Sequence, residues 1–547
     1  MGGVRRLLLK ECHLNQSKLM KDYIEGKQPL QSLFDYCYKE EIDYSKRRQE
    51  LRQREFPREA LTEHLLEFNK KYQCSSKTVT NIEKLLDENS VVVVGGQQAG
   101  VLTGPLYTIH KIITILKLAE MQELKLQVPV VPVFWIAGED HDFDEINHLF
   151  SVGSDKLHKR KIHQVNGGKN SISDLKLDKE ALKKLVVEVF LDSNETSNTS
   201  ALLNEINKSI VESDTYIDFF SSLIHKLFKD SGIVLIDSHN QQLRKLEVPF
   251  LKKLVEGNEA LNKGFLHRAN ELFNSGYGEP IERSENNAHL FYHLDGTRLL
   301  LERKNEYLFS DKQQVCSFTK EELLSLVETE PQNFSNNVVT RPLMQEFLLP
   351  VLTFVGGPGE IAYWASLKEV FHSFGFKVPP VAPRLSLTIV EPQIVKWLDN
   401  DESAIISVIK DGIITERNNI AYWNERRLIE ETLHHAIGEV EKITAPLKEL
   451  VTHFDKGLEK LAQKNELIIK KEISFLAQKI EKSVRHKYEH EWLKFDLIEA
   501  NLLPNGGLQE RSLNIVKYIN EYGLDFVTKL VELPYEFNDT HKIIFLK

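Results

Sequence analysis

Short apolar runs that end in glycine, each followed by an amphipathic stretch, dominate the middle of this chain. Val91-Val92-Val93-Val94 is a β-branched run ending in Gly95-Gly96, which predicts a buried strand of a parallel sheet. After it, Leu106, Ile109, Ile113 and Leu116 fall on one face of a helix predicted from Pro105 to about Met121. Thr103 or Gly104 can cap that helix, and Pro105 suits a first turn. A second apolar run at 129–136 completes a strand–helix–strand unit of βαβ length. The pattern recurs at 232–237 and again at 349–355, where Gly356-Gly357-Pro358-Gly359 precedes a helix over 361–374. Residues 378–381 predict one more short strand. The expected fold class is α/β, with a parallel sheet assembled from separated parts of the chain.

The intervals between these runs read differently. Residues 1–90 are charged and helix-prone, 155–230 are polar and lysine-rich like an insert, and 276–330 carry alternating patterns at His289–Leu294 and Arg298–Leu301 that predict hairpins. The sheet-bearing parts are then 91–154, 231–275 and 331–392. From 393 to 490 the chain is strongly charged and almost free of Pro and Gly. There Leu447, Val451, Phe454, Leu458, Leu461, Asn465, Ile468, Glu472 and Phe475 alternate steps of four and three, which predicts a coiled-coil seam, within one chain or between two. Residues 491–547 end in the apolar Ile543-Ile544-Phe545-Leu546 and predict a segment packed on the core.

Composition narrows the function classes. The 70 Lys+Arg against 80 Asp+Glu leave a net charge of −10, the wrong sign for a dedicated nucleic-acid binder. Four scattered cysteines, without CxxC or Cys/His spacing, predict neither a disulfide framework nor a metal site and fit a reducing compartment. The longest apolar run is about half the ~20 residues of a membrane span, and Leu7–Leu9 is too short for a signal-peptide core. The expectation is a cytoplasmic protein without a membrane partner.

Three clusters carry candidate chemistry. Gly95-Gly96-Gln97-Gln98-Ala99-Gly100 lies between strand and helix, where backbone N–H groups can meet a phosphate or carboxylate. Thr103, Tyr107 and His110 follow on the polar face of the helix, at the strand's carboxyl end where open α/β sheets bind ligands. The second cluster, Gly138-Glu139-Asp140-His141-Asp142-Phe143-Asp144-Glu145, crowds five carboxylates around one histidine. Helix capping explains one or two of them; the rest point to a positive partner such as an ammonium group or metal ion. The third is Gly357-Pro358-Gly359-Glu360-Ile361-Ala362, a G-x-G-x-x-A match that leaves an NADP-dependent oxidoreductase as an alternative. Arg341, Arg384 and Ser386 are candidate ligands for phosphate oxygens.

Together, Gly95–Gly100, Gly104–Lys111, Val133–Asp142, Val339–Pro342, Gly356–Trp364 and Pro383–Ser386 resemble the bacillithiol biosynthesis cysteine-adding enzymes along essentially the whole chain. That resemblance implies a Rossmann-like core akin to class I aminoacyl-tRNA synthetases and nucleotidylyl transferases, with inserted segments and a C-terminal α-helical coiled coil that makes a homodimer. It implies a cysteine ligase joining L-cysteine to glucosaminyl-malate, with ATP or another nucleotide, and at most Mg accompanying it, for carboxyl activation. The His-Ile-Gly-His and Lys-Met-Ser-Lys-Ser signatures of the wider superfamily are absent. Carried onto this chain, His141, Asp140 and Asp142 are the expected catalytic residues, with His141 as general base. Gln97, Gln98, Thr103, Tyr107, His110, Arg341, Glu360 and Trp364 are expected to bind substrate. Gly95, Gly96, Gly104, Arg384 and Ser386 are expected to bind nucleotide. A non-catalytic coiled-coil assembly protein is the remaining alternative.

Overall fold

The computed structural model describes residues 7–164, 170–418 and 421–547. The first six positions of the expected N-terminal segment, 165–169 of the first insert, and 419–420 of the helical region lie outside the described residues. The chain divides into two compact units. One comprises residues up to Gly153 together with His158–Ile389 and Gln509–Lys547; the other comprises Ser154–Leu157 and Val390–Leu508. The expected inserts thus belong to the same unit as the sheet, and the helical unit extends past 490 to Leu508 because helix Glu489–Leu502 buries Phe495 and Ile498 there.

The centre of the first unit is a five-stranded sheet of β1 (Val91–Gln97), β2 (Val130–Ile136), β3 (Val234–Asp237), β4 (Val351–Gly356) and β5 (Val381–Pro383). The strands are all parallel and lie in the order β5-β4-β1-β2-β3. This 3-2-1-4-5 arrangement is doubly wound, and its order reverses between β1 and β4. β2 is buried at every position, as the uninterrupted apolar run requires of a strand covered on both faces. Helix α1 (Leu106–Leu126) crosses from β1 to β2, with Ile109, Ile112, Ile113 and Ile115 fully buried. Helix α2 (Gln241–Glu256) follows β3, and the short helix α3 (Pro358–Trp364) follows β4.

Two further sheets surround this core. Asn287–Leu294, Thr297–Arg303, Leu308–Asp311 and Ser317–Thr319 form antiparallel neighbours, joined at the other edge by Phe334–Asn336. The expected polar insert contains three helices, Lys179–Leu191, Thr199–Glu212 and Tyr216–Leu227. The sequence pattern missed strand Leu7–Cys12, which pairs antiparallel with the buried terminal strand His541–Leu546.

The helical unit is dominated by α4 (Ala421–Phe454) and α5 (Glu459–Lys487), an antiparallel hairpin within one chain. Lys470 pairs with Glu441, and Glu466 accepts from Thr444 Oγ1 at 3.0 Å across it. The seam predicted as one continuous stripe is broken at Asp455, which caps the connecting turn by accepting from Gly457 N at 2.7 Å. On the hairpin, Leu447, Phe454, Leu461, Ile468 and Phe475 remain exposed. Among the described residues, no helix is long and apolar enough to cross a membrane.

Candidate active site

The carboxyl ends of β1 and β4 meet at the topological switch point, where open α/β sheets form their ligand crevice. Lys111, fully buried on α1, reaches this point. Its ammonium donates to the Gly96 carbonyl oxygen at 2.6 Å, to Gln97 Oε1 at 3.2 Å and to the Glu360 carboxylate. Burial disfavours its charge and lowers its pKa, partly offset by Glu360. Three donors thus meet three acceptors, which makes the lysine a strut between β1 and α3.

Glu360 is committed twice, because it also accepts from Gly357 N at 2.8 Å at the start of α3. Its carboxylate therefore occupies the helix end that a dinucleotide pyrophosphate would need. The G-x-G-x-x-A match also follows the fourth strand in sequence rather than the first, where that fingerprint acts. The oxidoreductase alternative loses its structural basis.

The first loop after β1 is bent sharply. Leu102, Thr103 and Gly104 all have positive φ, of 50°, 77° and 71°, a conformation unfavourable for the two non-glycine residues. Asn514 holds it by donating to the carbonyl oxygens of Leu102 and Gly104 at 2.8 and 2.7 Å. Gly95 and Gly96 lie inside β1, and a Cβ on Gly96 would meet the Trp135 carbonyl oxygen at 2.7 Å. Close strand packing thus requires that glycine whether or not a ligand approaches.

The opposite wall is the acidic segment after β2. Asp140 accepts from Gln98 Nε2 at 2.6 Å and from the His141 backbone N–H at 2.8 Å. Gln98 also donates to Glu145, so one amide joins both loops. Arg298, reaching in from strand Thr297–Arg303, stands 3.6 Å from Asp140 Oδ1 and 3.4 Å from His141 Nδ1. Its other nitrogens donate to Ser335 Oγ at 3.0 Å and Asn336 O at 2.7 Å, and it stacks 3.7 Å from the Phe291 ring centre. Burial pushes the Asp140 carboxyl up, but the Gln98 hydrogen bond and Arg298 charge prevail and lower it. A guanidinium only donates, so His141 Nδ1 accepts in that contact. Beneath them, buried Arg244 donates to Glu139 at 2.6 Å and also pairs with Glu247.

Other expected site residues take varied positions. Asp142 is exposed and caps the short helix Phe143–Ile146 by accepting from Asp144 N at 3.0 Å. His110 is fully buried, with Nδ1 3.1 Å from Glu510 Oε2. Arg384 donates to the other oxygen of Glu510 at 2.6 Å and lies 5.7 Å from the Tyr107 ring centre. Burial opposes ionisation of Glu510, yet Arg384 and His110 hold its pKa well below the carboxylate range. Ser386 Oγ lies 2.9 Å from His541 Nδ1. Trp364 packs in the core at 4.5 Å from Phe354. Thr103 is buried, its hydroxyl without a protein partner. Arg341 donates to the Tyr363 hydroxyl, while its buried Nε has no protein partner. That orphaned donor suits an anionic ligand oxygen.

Thus Gln97, Gln98, Asp140, His141, Arg341 and Glu360 gather around the crevice, whereas His110, Trp364 and Ser386 are engaged in packing or buried bonds. Sequence reasoning missed Lys111, Arg298, Glu510 and Asn514. Lys111 carried a signal, as the only Lys or Arg between Leu106 and Leu116. Arg298 and Asn514 had none, because each comes from a distant segment.

A doubly wound α/β domain with a polar crevice at its switch point and a separate helical unit defines a Rossmann-like ligand-binding class. Residues 7–385 match the N-terminal Rossmann-like domain of bacillithiol biosynthesis BshC, and residues 387–546 match its C-terminal coiled-coil domain. Proteins named "Putative cysteine ligase BshC" from Bacillus thuringiensis subsp. konkukian (strain 97-27) and Bacillus cereus (strain AH820) are each 43% identical over 539 residues. Each alignment covers 98% of this chain and 100% of the relative. A Bacillus anthracis protein of the same name is 43% identical over 538 residues, with the same coverage. The chain belongs to the BshC family.

Proposed function

We propose that this chain is a cysteine ligase that joins L-cysteine to the amino group of glucosaminyl-malate, the step that completes bacillithiol. The observation that carries the reading is the juxtaposition of Asp140, His141 and Arg298 across from Gln98 in the switch-point crevice, in a chain whose full-length relatives bear the ligase name. Amide formation needs an activated carboxyl group, a deprotonated amine and stabilisation of developing negative charge. ATP or another nucleotide, with any accompanying Mg, would supply the carboxyl activation.

The roles follow from chemistry. Asp140, whose pKa is lowered, holds an ammonium group. His141 takes the amine's proton at Nδ1 after Arg298 turns toward a substrate carboxylate, because their 3.4 Å contact is long for a hydrogen bond. Arg341, through its orphaned Nε, binds a malate carboxylate or a phosphate oxygen. The exposed apolar residues of the α4–α5 hairpin support a homodimer through that unit.

Incubating purified protein with cysteine, glucosaminyl-malate and each nucleotide, then reading products by mass spectrometry, tests the reading. The expected result is the condensed thiol with stoichiometric AMP or ADP. No product with any nucleotide overturns it. His141→Ala is expected to abolish thiol production in cells lacking the native enzyme while leaving the fold intact.

A further inference from the structure

Beside the crevice, behind the wall formed by Arg298 and Ser335, lies a second cavity of about 490 Å³, lined by α2, the antiparallel insert sheet and the segment before it. Its size is that of a small-molecule pocket. Its lining includes Asp174, Asp295 and Glu330 but no lysine or arginine. Three carboxylates around an enclosed space, without a resident cation, favour a positively charged occupant.

Two stacked histidines form part of the wall. The His239 and His293 rings lie 5.0 Å apart between centres, at 29°. His239 Nε2 faces Asp174 Oδ2 at 3.0 Å, so in the neutral ring Nε2 carries the proton and Nδ1 is a bare acceptor. His239 is only 7% exposed, and that Nδ1 has no protein partner. A buried acceptor left unpaired costs stability unless a ligand or water donates to it. His293 has the opposite polarity. Arg298 Nε donates to Ser335 Oγ, so the serine hydroxyl is free to donate to His293 Nε2 at 2.8 Å. The proton of neutral His293 then sits on Nδ1 as a donor, and burial, aided by His239, lowers this ring's pKa to about 3. The side-chain amides of Asn170 and Gln241 add further donors and acceptors to the lining.

We infer that this cavity binds a hydroxyl-bearing primary amine of amino-sugar size, with its ammonium among the carboxylates and its hydroxyls on the histidine pair and amides. The inference does not rest on the ligase reading, because binding can be read without cysteine or nucleotide.

The test is isothermal titration of the intact chain with glucosamine, glucose and N-acetylglucosamine, combined with hydrogen–deuterium exchange. Glucosamine is expected to bind saturably and at least tenfold more tightly than either uncharged sugar. Glu330→Gln/Asp295→Asn is expected to lower that affinity about tenfold. On adding glucosamine, amides of 171–174 and 292–296 should gain protection. Equal affinity for the three sugars overturns the inference, as does unchanged affinity in the double variant. Protection confined to 95–100 and 139–145 also overturns it, and leaves the ligase reading standing.

Discussion

The Lys111 ammonium donates to the Glu360 carboxylate across the point where the sheet reverses its strand order, while holding the Gly96 carbonyl oxygen at 2.6 Å. Lys111 is 1% exposed and the Glu360 side chain 21%. Removing one partner of a buried pair leaves the other uncompensated. Lys111→Met should cost about 3 kcal/mol in urea unfolding. Adding Glu360→Gln should restore part of that loss, since no charge then remains to be paired. A cost below about 1 kcal/mol would show that the strut is incidental.

Asn514 makes a comparable connection without charge. Its amide bonds two carbonyl oxygens of a loop with three successive positive φ values, two of them at non-glycine residues. Asn514→Ala should destabilise the chain by about 2 kcal/mol, for two lost hydrogen bonds. Hydrogen exchange should rise around residues 100–105 before it rises elsewhere. Uniform acceleration across the sheet would instead indicate a general loss of stability.

Much of this arrangement could be read in the chain, for identifiable reasons. β1, β2, β3 and β4 are apolar runs closed by glycine or a charged residue, and their burial on both faces erases the alternation that would otherwise confuse the reading. The order of the strands was not legible, because nothing local in Val351–Gly356 records that it lies beside Val91–Gln97. The acidic segment looked uniform in sequence, yet Asp140 faces Arg298 and Gln98 while Asp142 caps a helix. A hydrogen-bond partner from a distant strand separates the two, and spacing cannot show it. The heptad pattern ran through Asp455-Lys456-Gly457 because apolar spacing survives a turn that the Asp and Gly signal breaks.

The broken seam makes the second copy testable. Leu461 and Ile468 are 61% and 50% exposed on α5, one heptad apart. Leu461→Glu/Ile468→Glu should convert a dimer into a monomer in sedimentation at micromolar concentration. Helix content should be retained, because neither side chain is in the core. A wild-type chain already monomeric under those conditions would remove the dimer from the proposal.

The pH dependence of stability has a definite sign at His289. The ring is fully buried, receiving a hydrogen bond from Asn337 Nδ2 at Nδ1 (3.0 Å) and facing Asn262 Oδ1 from Nε2 (2.8 Å). One nitrogen accepts and the other donates, which is the pattern of the neutral ring. Burial lowers its pKa to about 3, against roughly 6.5 in the unfolded chain. The unfolded state therefore takes up a proton first as pH falls, and stability decreases with falling pH. This contribution is fully present above about pH 6.5 and is lost progressively toward pH 3. Between pH 7 and pH 5 the loss from this one group should be about 2 kcal/mol. His289→Gln can keep one donor and one acceptor but cannot titrate. The variant should be less stable at pH 7, yet its urea midpoint should fall less than the wild type's on going to pH 5. Parallel falls in the two proteins would place the acid sensitivity in other groups.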